Sequence, residues 1–112
     1  MQTWNTAALD VQPQQPQVLT SDDEGRVIAL HLLAGERLPE HQVHERAWLV
    51  VVAGKVKISE PGGESTTGEV GFLAAFDPNE RHEVAAIEDS RMLLLLSPWP
   101  GESHPSQERG ER

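Results

Sequence analysis

The run Ala47-Trp48-Leu49-Val50-Val51-Val52-Ala53-Gly54 passes directly into Lys55-Val56-Lys57-Ile58-Ser59 and is halted by Pro61-Gly62-Gly63. Its valines are β-branched and suit a pleated, half-buried surface. The lysine segment alternates charged and apolar side chains with a period of two, the repeat of a strand with one wet face. Gly54 separates the two runs and Pro61-Gly62-Gly63 supplies a turn, so the stretch reads as strand, break, strand, turn. The same rhythm extends outward in both directions. Residues 27–33 precede Ala34-Gly35, 72–76 precede Asp77-Pro78-Asn79, 82–87 precede Glu88-Asp89-Ser90, and 92–96 precede Ser97-Pro98. Short apolar runs punctuated this often specify an all-β sandwich or barrel. The longest stretch open to a helical reading, 40–52, is valine-rich in its second half and favours strand.

With 112 residues the chain has material for one domain and one modest core. Residues 1–17 contain Gln12-Pro13-Gln14-Gln15-Pro16-Gln17 and read as a polar lead-in. Residues 18–97 form the folded domain. Residues 98–112, rich in proline, glycine and charge with Trp99 as the only large apolar side chain, read as a loose tail. Runs apolar on both faces, at 27–33 and 93–96, carry more apolar surface than so small a barrel encloses, and the expectation is a homodimer.

Eighteen acidic and nine basic residues give a formal net charge of −9. A field of that sign repels phosphate backbones and anionic lipid surfaces, so neither nucleic acid nor membrane is expected as a partner. There is no cysteine, which excludes disulfides, thiolate metal sites and thiol nucleophiles. Met1-Gln2-Thr3-Trp4-Asn5 has neither a basic region nor an apolar run behind it, and the expected location is cytoplasmic. Gly62-Gly63 and Gly68-x-x-Gly71 are hairpin turns without the helix and lysine of a phosphate cradle, and no serine sits in a nucleophile elbow.

Five histidines carry the remaining chemistry. His41, His44 and His82 each sit beside a turn at the start of a strand, where imidazoles from neighbouring strands can converge on a divalent metal. By strand parity His41, Val43, Ala47 and Leu49 share one face, and His44 points inward only if a bulge or turn intervenes. His82 shares its face with Val84 and Ala86. His31 alternates with Ala29 and Leu33 and reads as a core or interface histidine. His104 reads as solvated in the tail. Glu36, Glu40 and Glu45 read as a solvated acidic rim, each still able to approach a metal. Arg81 reads as an exposed turn residue.

The chain resembles the cupins. Gly35, five residues, His41, then Ala47 and, seven further on, Gly54 is similar to their first motif, G-x5-H-x-H-x3,4-E-x6-G. Gly71 followed by Phe72 to Phe76, then Asp77-Pro78-Asn79-Glu80-Arg81-His82, is similar to the second, G-x5-P-x-G-x2-H-x3-N. The resemblance covers residues 26–97 and implies a small jelly-roll, or double-stranded β-helix, barrel. The departures fall on the ligands: the family's second histidine falls at Val43, its glutamate at Ala47 and its last asparagine at Ala86, while the turn glycine is Asn79. Of the four usual ligand positions His41 and His82 keep a ligand.

Three functions stay open. In the first, one divalent ion (Fe, Mn, Ni, Cu or Zn) sits on His41, His82 and, with a bent loop, His44, and acts on a small molecule. In the second, Val43 and Ala47 have converted the ligand site into an apolar pocket of a metal-free binding or sensing module. In the third, a dimeric surface is the function. No organic cofactor is expected in any of them.

Overall fold

The computed structural model describes residues 1–41 and 44–98, the side chains of 39–41 excepted. Nine strands form among these residues: β1 (Gln17–Asp22), β2 (Gly25–Leu32), β3 (Arg37–His41), β4 (Arg46–Ala53), β5 (Lys55–Ser59), β6 (Ser65–Glu69), β7 (Leu73–Phe76), β8 (His82–Ala86) and β9 (Ser90–Ser97). The one helical turn among them is a 3-10 turn at Thr6–Ala8. No helix is long and apolar enough to cross a membrane, among the described residues. The strands make two antiparallel sheets, β1-β2-β9-β4-β7 and β3-β8-β5-β6, as the jelly-roll reading expects.

Alternation places the core between the sheets. In β4 Ala47, Leu49 and Val51 are buried while Trp48 and Val50 are half-buried on the other face. Leu32, Val56, Val84 and Met92 complete the interior, each nearly or wholly out of water.

Two positions fix how the sheets close. Gly54 joins β4 to β5 with φ +88°, and a Cβ there would lie 2.3 Å from the Asp89 carbonyl oxygen. Only glycine fits so close an approach in the left-handed region. Beside it, the wholly buried Ser90 Oγ accepts from the Lys55 N–H at 2.9 Å and lies 3.0 and 2.7 Å from the Lys55 and Glu88 carbonyl oxygens. One hydroxyl thus ties β9 of the five-stranded sheet to β5 of the four-stranded one.

The segment expected as a lead-in is strapped to the outer face of the larger sheet. Val11 is buried. Its carbonyl oxygen lies 2.8 Å from His31 Nδ1, and His31 Nε2 lies 2.7 Å from Asp89 Oδ1. Arg91 donates to the Leu9 carbonyl and the Gln14 N–H donates to the His31 carbonyl at 2.9 Å. The expected tail at 98–112 lies, beyond Pro98, outside the described residues.

The same sheet carries two outward rows in register, Val27–Leu95–Trp48–Ala75 and Ala29–Leu93–Val50–Leu73. All eight side chains are apolar; Ala29 is buried, Val27, Trp48, Val50, Leu93 and Leu95 are half-buried, and Ala75 and Leu73 are exposed, Leu73 at 58%.

Candidate functional site

The site is built on the turn between β7 and β8. The Glu80 N–H donates to the Asp77 carbonyl at 3.1 Å, closing a four-residue turn with Pro78 at its second position and Asn79 at φ 66° in its third. Proline presets the second dihedral of such a turn, and asparagine tolerates the left-handed third position that the cupin pattern gives to glycine. Glu80 Oε1 accepts the Asp77 N–H at 2.9 Å, and Arg46 Nη1 donates to Asp77 Oδ1 at 2.7 Å. The turn is therefore tied to itself and to the start of β4.

That turn brings Phe76 and His82 together. Their rings stack with centroids 3.8 Å apart and planes 7° from parallel, and both residues are buried. His82, Val84 and Ala86 all face inward, as strand parity requires. Phe76 is the strand partner of Ala47, the position where the cupin pattern has glutamate. Ala47 is wholly buried, and as the strand partner of Phe76 it shares the inward face with it.

Of the other expected site residues, His41 is described by its backbone alone. The backbone of His41 is registered opposite that of His82 across the β3–β8 pair, after a register shift that follows Leu38. The side chain of His41, and Val43 altogether, lie outside the described residues. His44 sits exposed in the bend before β4. Among the described residues no three His, Cys, Asp or Glu side chains lie close enough to hold a metal ion. Ala47 offers no donor, so the described part of the site does not fit the family's four-ligand metal centre.

Glu45 differs from the expectation of a solvated rim: it is only 4% exposed. The β4 alternation simply runs back one step past the strand end, through exposed Arg46, and carries Glu45 inward with Ala47 and Leu49. Parity was sufficient to place it. Glu36 instead reaches back across its own turn, its Oε1 accepting the Leu33 N–H at 2.8 Å. Arg81 is exposed in the turn, as expected.

A cleft of about 200 Å³ opens beside the stack, where edge strands β6 and β7 leave the two sheets unjoined. Ile58, Phe72, Ala74 and Phe76 line its apolar side. Phe72 holds its place because Gly68 lies beneath it, and a Cβ at Gly68 would come within 2.2 Å of the ring. Charge enters at the mouth, through Glu60, Glu64 and Glu80.

The barrel, its two motifs and their spacing define a cupin. A family model described as "Cupin domain" matches residues 29–98, and the chain belongs to that family. A search of curated proteins finds no match. Among solved structures, an RmlC-like cupin protein from Desulfovibrio desulfuricans superposes with a TM-score of 0.76 at 18% identity, covering 88% of this chain and 97% of that one. A double-stranded β-helix protein from Klebsiella pneumoniae gives 0.76 at 16% identity, with 88% and 91% covered. KdgF from Halomonas sp. gives 0.69 at 22% identity, with 80% and 85% covered. At such identities the likeness is one of fold, and fold alone does not carry function.

Proposed function

We propose that the protein is a small-molecule-binding cupin whose ligand seats in the cleft beside the Phe76–His82 stack and needs no metal ion for binding. The observation that carries this reading is Phe76, whose ring lies flat on His82 and which is also one of the residues lining the cleft. Apolar walls with a few polar groups at the mouth are the usual make-up of a small-ligand site. The exchange of the family's glutamate for Ala47, with Phe76 opposite, supports an apolar lining at that position, while Glu45 carries a carboxylate inward two residues earlier.

Filling the cleft tests the proposal. Ala74→Leu adds bulk to the lining and is expected to abolish binding of a small aromatic probe such as benzyl alcohol, while circular dichroism keeps the β-sheet signature. Unchanged affinity in a folded variant overturns the assignment.

A second reading, one divalent ion on His41 and His82 with water at the open positions, is favoured by the register of those two residues. When bound, such an ion would supply Lewis-acid polarisation of a substrate oxygen. Imidazole ligates only when unprotonated, so binding by this route would weaken in acid. Elemental analysis of untagged protein separates the two readings, about one equivalent per chain favouring the metal.

The apolar rows on the larger sheet support assembly as a two-fold homodimer, and a cytoplasmic location remains part of the proposal.

A further inference from the structure

We infer that the cleft beside Phe76 selects a small organic cation, an ammonium group carried on an aryl or short alkyl body. The inference rests on the reading of the cleft as a small-molecule site and adds the charge and size of its ligand.

The two sides of the cleft ask for different things. Phe72 and Phe76 line it, and an aromatic ring attracts a cation as well as apolar carbon. Glutamates from two separate turns belong to the same lining. Glu60 and Glu64 flank the β5–β6 turn, which is held by backbone bonds alone, Glu60 N–H to the Glu64 carbonyl at 2.8 Å and Gly63 N–H to the Glu60 carbonyl at 3.1 Å. Their side chains are free of any structural hydrogen bond or ion pair among the described residues, so neither carboxylate is occupied in holding the fold. Glu80 contributes from the β7–β8 turn, with Oε1 accepting the Asp77 N–H.

Among the described residues, none that lines the cleft is basic. Arg81 follows Glu80 in sequence but is not part of the lining. An anion would therefore meet three carboxylates in a partly enclosed space, whereas a cation meets carboxylates and aromatic faces together. The net charge of −9 adds to the same field and raises the local concentration of cations. Size sets the other limit. A volume of about 200 Å³ corresponds to roughly seven waters at their liquid share of ~30 Å³ each, enough for one ring with a short arm.

The test uses the full-length protein treated with chelator and three probes of one shape: benzylammonium, benzyl alcohol and benzoate. Affinities are read by protein-observed NMR at low salt and at about 0.15 M ionic strength, where screening is already strong. Benzylammonium is expected to bind about tenfold more tightly than benzyl alcohol at low salt, with benzoate weakest and the gap narrowing as salt rises. Glu60→Gln with Glu64→Gln should bring benzylammonium down toward benzyl alcohol, narrowing the ratio between the two. Equal affinity for the three probes, or a preference for benzoate, overturns the cation selectivity and leaves the ligand cleft standing. Failure of all three to bind the wild type overturns the cleft assignment itself.

Discussion

Phe76 and His82 form a parallel stack 3.8 Å between centroids, at the one end of the barrel where the β7–β8 turn sets both rings. Ala47, wholly buried, is the strand partner of Phe76. Replacing Phe76 by Ala is expected to cost about 3–5 kcal/mol, from lost burial and the cavity left behind, measured by urea denaturation. Phe76→Leu keeps most of the volume and should cost much less. Ala47→Glu, which restores the family residue, places a carboxylate against the ring in a dry site and should destabilise by about 2 kcal/mol or more. A neutral effect of Ala47→Glu would mean that the interior at this point is wet.

Ser90 predicts the strength of the tie between sheets. Ser90→Ala removes the hydroxyl that accepts the Lys55 N–H and leaves buried backbone polar groups to find other partners. A loss of about 1–3 kcal/mol is expected, again by chemical denaturation. A loss below the resolution of the measurement would show that Lys55 and Glu88 are satisfied without it.

The amino-terminal strap divides at Leu9. Removing residues 1–8 leaves Val11, His31 and Arg91 with their contacts and should change the melting temperature little. Removing residues 1–15 exposes the buried Val11 contact and strips His31 and Arg91 of their carbonyl partners. That truncation should lower stability by about 2 kcal/mol or more, from the lost burial and hydrogen bonds together. Equal melting temperatures for the two truncations would contradict the strap.

The outer rows of the larger sheet predict a dimer. Light scattering at micromolar concentration is expected to give twice the 12.4 kDa chain mass. Leu73→Lys, at the exposed end of a row, should shift the population toward monomer without unfolding it, because Leu73 lies outside the core. A wild-type monomer would contradict the assembly.

The strand pattern was legible because its causes are local. The valines of β4, the Lys–apolar alternation of β5 and the turn residues around them are readable without any partner strand. Strand parity also placed His82, Val84 and Ala86 inward, and it would have placed Glu45 there had it been followed one residue past the β4 start. The Phe76–His82 stack was not legible. It depends on which strand lies beside β7, on the register that sets Phe76 against Ala47, and on the closing of the 77–80 turn. The strap was hidden for another reason: its Gln- and Pro-rich composition looks unstructured, while its anchors are a single valine, two backbone carbonyls and the Gln14 N–H, which composition does not reveal.

The central claim, a ligand cleft beside Phe76 that binds without metal, is tested most directly by titrating benzylammonium into chelator-treated protein with assigned NMR signals. The account predicts that resonances of Ile58, Phe72, Ala74 and Phe76 move first and saturate with no divalent ion present. If those signals stay still until a divalent ion is added, and His41 and His82 respond to the ion alone, the cleft is not a metal-independent site and the account is contradicted.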